Sequence, residues 1–334
     1  RVPGGEQGPF LTPSKTHATS STTDALPPAK VRFTRRAFET PTLLLIFVTY
    51  AGWLAVTAAY AHWPLLLVAP LGAMLVSLHS SLQHEIVHGH PTRWQAVNRV
   101  LGIVPLSLWL PYDRYRTLHR RHHVDARLTD PLDDPESFYW RPEEWAQLNP
   151  LTRVFLHVQQ TLAGRVVVGA FWRVGAFLYA EVRGCLRNAP GVRRVWAQHL
   201  LWCVLVIAWL KLVCGLPLWV YFFTMVVPAN GIQLIRSFAE HRARDAVAER
   251  IAIVEDSWIL GPMFLFNNLH SLHHEDPLIP WYEYPARYRM ARERLLKSNG
   301  GLVYQSYFDV SRRYLFWPHD RLLHPTGRAP VQPV

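Results

Sequence analysis

Thiols are nearly missing from this sequence. Its three cysteines, Cys185, Cys203 and Cys214, form no CxxC pair, so there is no paired thiolate for metal or redox work. Cys203 and Cys214 fall in an apolar stretch and read as reduced thiols used as small hydrophobes. Charge is scarce as well, at 18% of 334 residues, against about a quarter in a soluble domain. Half of the residues are hydrophobic, and they are gathered into blocks. That distribution points to a membrane protein. Acidic residues are outnumbered 24 to 35, giving a net charge of +11. No basic run is interleaved with aromatics in the manner of a nucleic-acid surface, so that class of partner is set aside. Positive flanks on membrane helices and attraction to anionic headgroups account for the excess. Residues 1–38 contain no apolar core and no signal-peptide h-region. They are expected to form a disordered tail.

Four uncharged or nearly uncharged runs are long enough to cross a bilayer, at about 43–61, 65–82, 197–213 and 218–235. Short breaks at His62-Trp63-Pro64 and Cys214–Pro217 make two tight hairpins of them. Val100 to Leu110 is apolar but short and carries Gly102 and Pro105, which suits a re-entrant or interfacial segment. Residues 151–184 mix apolar runs with Arg153, Arg165, Arg173 and Arg183, a pattern for helices lying at the headgroups with snorkelling arginines. The expected fold is an all-α membrane protein. Two hairpins over 39–300 carry interfacial helices and a cytoplasmic helical cap, and a C-terminal segment follows over 301–334.

Histidine is the residue in surplus. Eight fall into three clusters: HEIVH (His84, His88), HRRHH (His119, His122, His123) and HSLHH (His270, His273, His274). A helix puts residues i, i+3 and i+4 on one face, so each cluster aims its imidazoles together. With 17 histidines in the chain, chance predicts roughly 0.04 HxxHH matches. Two occur. If the tail is inside, both hairpins return the chain to that side and all three clusters share one membrane face. Lys30, Arg32, Arg35 and Arg36 precede the first span and Arg193 and Arg194 the third, while only Lys211 lies near an outer turn. The positive-inside rule makes that face cytoplasmic.

Eight neutral imidazoles exceed what one tetrahedral zinc takes, whereas two metals with four or five ligands each would use them all. A nitrogen-rich site with open positions fits iron and oxygen chemistry better than hydrolysis. Three other readings compete. HEIVH also matches the HExxH signature of a membrane zinc metalloprotease, but that leaves most of the other histidines idle. A b-type haem wants single axial histidines within spans. A metal transporter or sensor wants ionisable residues along its spans, and these spans have almost none.

The three boxes, in this order and each behind an apolar stretch, resemble the integral-membrane fatty acid desaturase and hydroxylase family over about residues 40–290. HEIVHGHP, TDPLDDPES and NNLHSLHHEDPLIPW resemble bacterial members, among them hydrocarbon oxygenases. The resemblance implies two irons on cytoplasmic histidines, O2 as co-substrate, and desaturation or hydroxylation of a lipid acyl chain. Hydroxylation or ketolation of a carotenoid or other hydrocarbon is the alternative it leaves open. It also implies electrons from a ferredoxin or cytochrome b5-type donor. No such domain is visible in the chain, so a separate donor is expected.

A further family ligand after the fourth span maps to His241 in RSFAEH, giving nine. Acyl-CoA desaturases of this type carry an asparagine four residues earlier, where this chain has Ser237; Asn267 or Asn268 could substitute. Metal-bound histidines usually hand their other ring nitrogen to a carboxylate or carbonyl. The candidates for that role are Glu85, Asp125, Asp130, Glu240 and Glu275. Asp130, Asp133 and Asp134, beside Pro131 and Pro135, read first as turn residues. His90 is off the helical face of His88, and His79 reads as a hydrogen-bonded helix residue. Trp281, Tyr282, Tyr284 and Arg287 line an entrance, dock a partner or form an interfacial belt.

Overall fold

The computed structural model describes residues 37–325, and these are mostly helical. The expected tail, except for its last two residues, and the flank Lys30, Arg32, Arg35 and Arg36 lie outside the described residues. Helices α1 (Thr40–Ala61) and α2 (Leu65–Val87) form the first hairpin, and α6 (Val192–Val213) and α7 (Leu218–Glu240) the second. Pro64 and Pro217 cap the second arm of each, where a missing N–H costs nothing. On α1 the buried residues Thr42, Ile46, Thr49, Trp53 and Thr57 recur every three or four positions. Leu44, Phe47, Val48 and Leu54 between them are exposed. A helix apolar on both faces keeps one for its neighbours and leaves the other to the bilayer.

The hairpins pack through a core of Trp53, Val68, Val76, Leu210, Tyr221 and Met225. Gly72 on α2 lets the Met225 side chain pack directly on the helix, since a Cβ there would force its sulfur to move. The short apolar stretch begins as α3 (Gln95–Gly102) and then runs as irregular backbone into this core, with Leu106 fully buried. Its free carbonyls find donors on the second hairpin. The Tyr221 hydroxyl donates to Leu106 O at 2.6 Å and His199 Nε2 to Leu108 O at 2.9 Å. Non-helical backbone at this depth requires such partners.

A fifth helix, α5 (Leu162–Leu186), is also long and apolar enough to cross a membrane. It covers the stretch read from its arginines as interfacial. Near its end Glu181 accepts from Arg114 Nη2 at 2.6 Å and from Trp196 Nε1 at 2.8 Å. At its start Arg165 stacks on Phe138. Residues 301–325 are built into the histidine-bearing end. Strand β2 (Val303–Tyr304) pairs in parallel with β1 (Ile253–Val254), and Trp140 N donates to Leu322 O at 2.8 Å.

Candidate metal centre

The polar ends of α2 and α7 meet two short helices, α4 (Tyr112–His122) and α8 (His270–Glu275). His84 sits in the last turn of α2 and His88 caps it. His119 and His122 lie on the inner side of α4, with His123 just past it. His241 leaves α7 in extended conformation, which turns its ring back toward α8.

All nine predicted histidines come together, in two groups. One holds His84, His88, His119, His123 and His273, and the other His122, His241, His270 and His274. Within the first, Nε2 of His119 lies 3.0 Å from those of His88 and His123, and His273 lies 3.1 Å from His123. Within the second, His241 Nε2 lies 2.9 Å from that of His270 and 3.1 Å from that of His122. Adjacent nitrogens about 2.1 Å from a shared ion at right angles would be about 3.0 Å apart, while tetrahedral ones would be about 3.4 Å apart. The nearest pairs in each group match the right-angle value, and all ligand atoms of a group lie within 4.8 Å of one another, so each group is compact enough to hold one ion.

The opposite ring nitrogens of five of the nine point outward to fixed partners. His119 Nδ1 donates to Glu136 Oε1 and His122 Nδ1 to Asp134 Oδ1, both at 2.9 Å. His270 Nδ1 lies 3.2 Å from Asn267 Oδ1 and 3.3 Å from Glu240 Oε1. His273 Nδ1 meets the Tyr284 hydroxyl at 3.0 Å, and His241 Nδ1 lies 3.4 Å from Arg250 O. An Nδ1–H held in this way leaves the Nε2 lone pair free for a metal.

Burial and the neighbouring rings hold His88, His241, His270 and His273 well below the ordinary imidazole value. Neutral imidazole is the ligating form. His122 is the exception. Burial alone would lower it, but Glu136 and Asp134 outweigh that and raise it to about 9. Its ring enters a metal's shell only by giving up that proton.

The residues expected to orient the rings divide. Glu240 and Asn267 are in contact with His270, and Asn267 Nδ2 also reaches His84 Nε2 at 3.5 Å. Glu85 and Glu275 are elsewhere. Glu85 is buried and accepts from Trp281 N at 2.9 Å, while Glu275 faces outward and pairs with Arg294 at 2.7 Å. The side chain of Asp125 lies outside the described residues. Asp130 does cap a turn, accepting from Leu132 N and Asp133 N. Asp134 also binds turn amides but in addition holds His122, which corrects its reading as a turn residue alone. Glu136 and Tyr284 were not foreseen as ring partners. An acidic run 11 to 13 residues past a histidine box was the available signal for Glu136 and Asp134. Ser237 Oγ is buried without a hydrogen-bond partner. Asn268 Nδ2 donates to Val254 O and serves the backbone. His79 bonds Tyr50 at 3.1 Å, the helix role expected of it.

A zinc protease needs the HExxH glutamate at the metal-bound water. Glu85 is instead committed to the Trp281 amide and lies 4.0 Å from His90. His84 and His88 share their group with three further histidines.

A sequence-family model described as fatty acid desaturase matches residues 60–307. No curated protein matches the chain.

Proposed function

The chain belongs to the fatty acid desaturase family, and on that premise we propose that this membrane oxidoreductase desaturates or hydroxylates a lipid acyl chain at a nine-histidine di-iron centre. The observation that carries the reading is the convergence of nine histidines into a five-and-four pair of compact groups. Two irons held there would supply O2 activation, with electrons from a separate ferredoxin or cytochrome b5-type protein. The chain's own residues have two tasks. Glu136, Asp134, Glu240, Asn267 and Tyr284 hold the rings at Nδ1, so the Nε2 positions do not drift. The buried rings keep bulk water from the reacting carbon. The centre lies at the end of α2, whose preceding turns from Leu65 to Val76 are apolar, which places it next to the side from which a lipid chain would arrive.

This reading also requires an even number of membrane crossings between box two and box three, because their histidines meet. Of α5, α6 and α7, two cross and one lies flat. The Arg114–Glu181 pair and the Arg165–Phe138 stack support α5 as the flat one, since both of its ends are tied to the box-two region. Four spans would keep the centre on the side of the N-terminal tail, which the positive flanks suggest is cytoplasmic.

Expression in a heterologous host, followed by mass spectrometry of total lipids, tests the function. A new double bond or a new hydroxyl is expected, and its nature decides between the two outcomes. His122→Ala is expected to abolish the product. Product at the wild-type level in that variant would sink the metal-site assignment.

A further inference from the structure

Beside the nine histidines lies a second buried cluster that has no part in holding them. Glu39, Glu85 and His90 bring their polar atoms within 4.8 Å of one another, and each residue is at most 6% exposed. Glu39 precedes α1, Glu85 sits on α2, and His90 lies in the loop after it. His90 Nδ1 donates to Glu39 Oε1 at 2.6 Å. Glu39 Oε2 accepts from the Thr42 hydroxyl, and Glu85 Oε1 accepts from Trp281 N. His90 Nε2 is buried, has no hydrogen-bond partner, and lies 4.0 Å from Glu85 Oε1.

From this geometry we infer a third metal site, for a divalent first-row cation, between His90 Nε2 and Glu85, with Glu39 orienting the imidazole from behind. The support is geometric. A carboxylate on Nδ1 fixes the tautomer and aims Nε2 outward, the arrangement by which carboxylate–histidine pairs present a ligand to a metal. An ion about 2.1 Å from each atom fits a gap of 4.0 Å at a wide angle, with water completing its shell. One imidazole with carboxylate oxygens suits Mn2+, Fe2+ or Zn2+. Such an ion would tie the start of α1 and the end of α2 to the Trp281 loop beyond box three, apart from the reacting centre. The rival occupant is a second proton on His90, facing the Pro277 carbonyl.

The test uses the purified full-length protein, cleared of loosely held metal with a weak chelator and then titrated with Mn2+. Metal content is read by plasma mass spectrometry and mononuclear Mn2+ by electron paramagnetic resonance. One equivalent of Mn2+ more in wild type than in His90→Asn and in Glu39→Gln is expected, with iron content equal in all three. Because the count is a difference between proteins, it stands whichever metal fills the nine-histidine centre. Where His90→Asn also loses iron, Glu39→Gln decides, since it contacts none of the nine. Equal Mn2+ binding in wild type and Glu39→Gln, or none in either, would overturn the site in favour of the proton.

Discussion

An imidazole is pointed at one spot only if its opposite edge is held, and for the five histidines with a visible holder the holders differ in kind. His119 and His122 have carboxylates, His270 an amide with a carboxylate, His241 a carbonyl and His273 a phenol. Tyr284 is 2% exposed, so no water replaces its hydroxyl once it is removed. Tyr284→Phe is expected to lower iron affinity or turnover about 10- to 100-fold, the usual cost of losing an outer partner of a ligand. Iron content after dialysis against a weak chelator measures this, and retention at the wild-type level would show that the phenol holds nothing. The inner residues were legible in the sequence because helical spacing alone aligns His119, His122 and His123. The outer residues were not. Glu136 reaches His119 across 17 positions of irregular chain, and Tyr284 reaches His273 across 11. No periodicity encodes such a fold-back. Glu85, adjacent to a ligand in sequence, faces away because the helix turns it about 100° from His84.

At the level of elements, hydropathy located the hairpins because both faces of a membrane helix are apolar. It could not place the segment after Tyr304, whose role rests on single polar contacts. The Tyr139 hydroxyl donates to Asp320 Oδ2 at 2.7 Å and accepts from Ala243 N at 2.8 Å, two residues from His241. Burial would raise the Asp320 carboxyl, but the Tyr139 hydroxyl, the Arg321 amide and Arg242 outweigh it and hold it below its ordinary value. A carboxyl depressed in the fold stabilises it above the unfolded value of about 3.9, and that contribution fades as pH falls through the folded value. Asp320→Asn is therefore expected to destabilise the metal-free protein by about 1–3 kcal/mol at pH 7. The gap to wild type should close below about pH 3.9. Thermal melts across pH 3–7 measure it, and a gap that widened on acidification would contradict the assignment.

For the whole molecule, length and hydropathy do not separate a helix that crosses from one that lies flat, because α5 meets both. The proposal that it lies flat rests on what its ends touch. In a variant with Cys185, Cys203 and Cys214 replaced by serine, single cysteines at Thr161 and Asn188 flank α5. Both should react with an impermeant maleimide from the side that labels the box-two region. Labelling from opposite sides would make α5 a crossing helix and overturn the four-span arrangement.

Neither histidine group is drawn from one part of the chain. The five-membered group waits for His273 and the four-membered one for His274, and both also take residues from box two. During synthesis, then, neither histidine group is complete until both hairpins and box three have been made. Any metal these groups bind would enter late, and a chain stopped before box three would lose both groups at once.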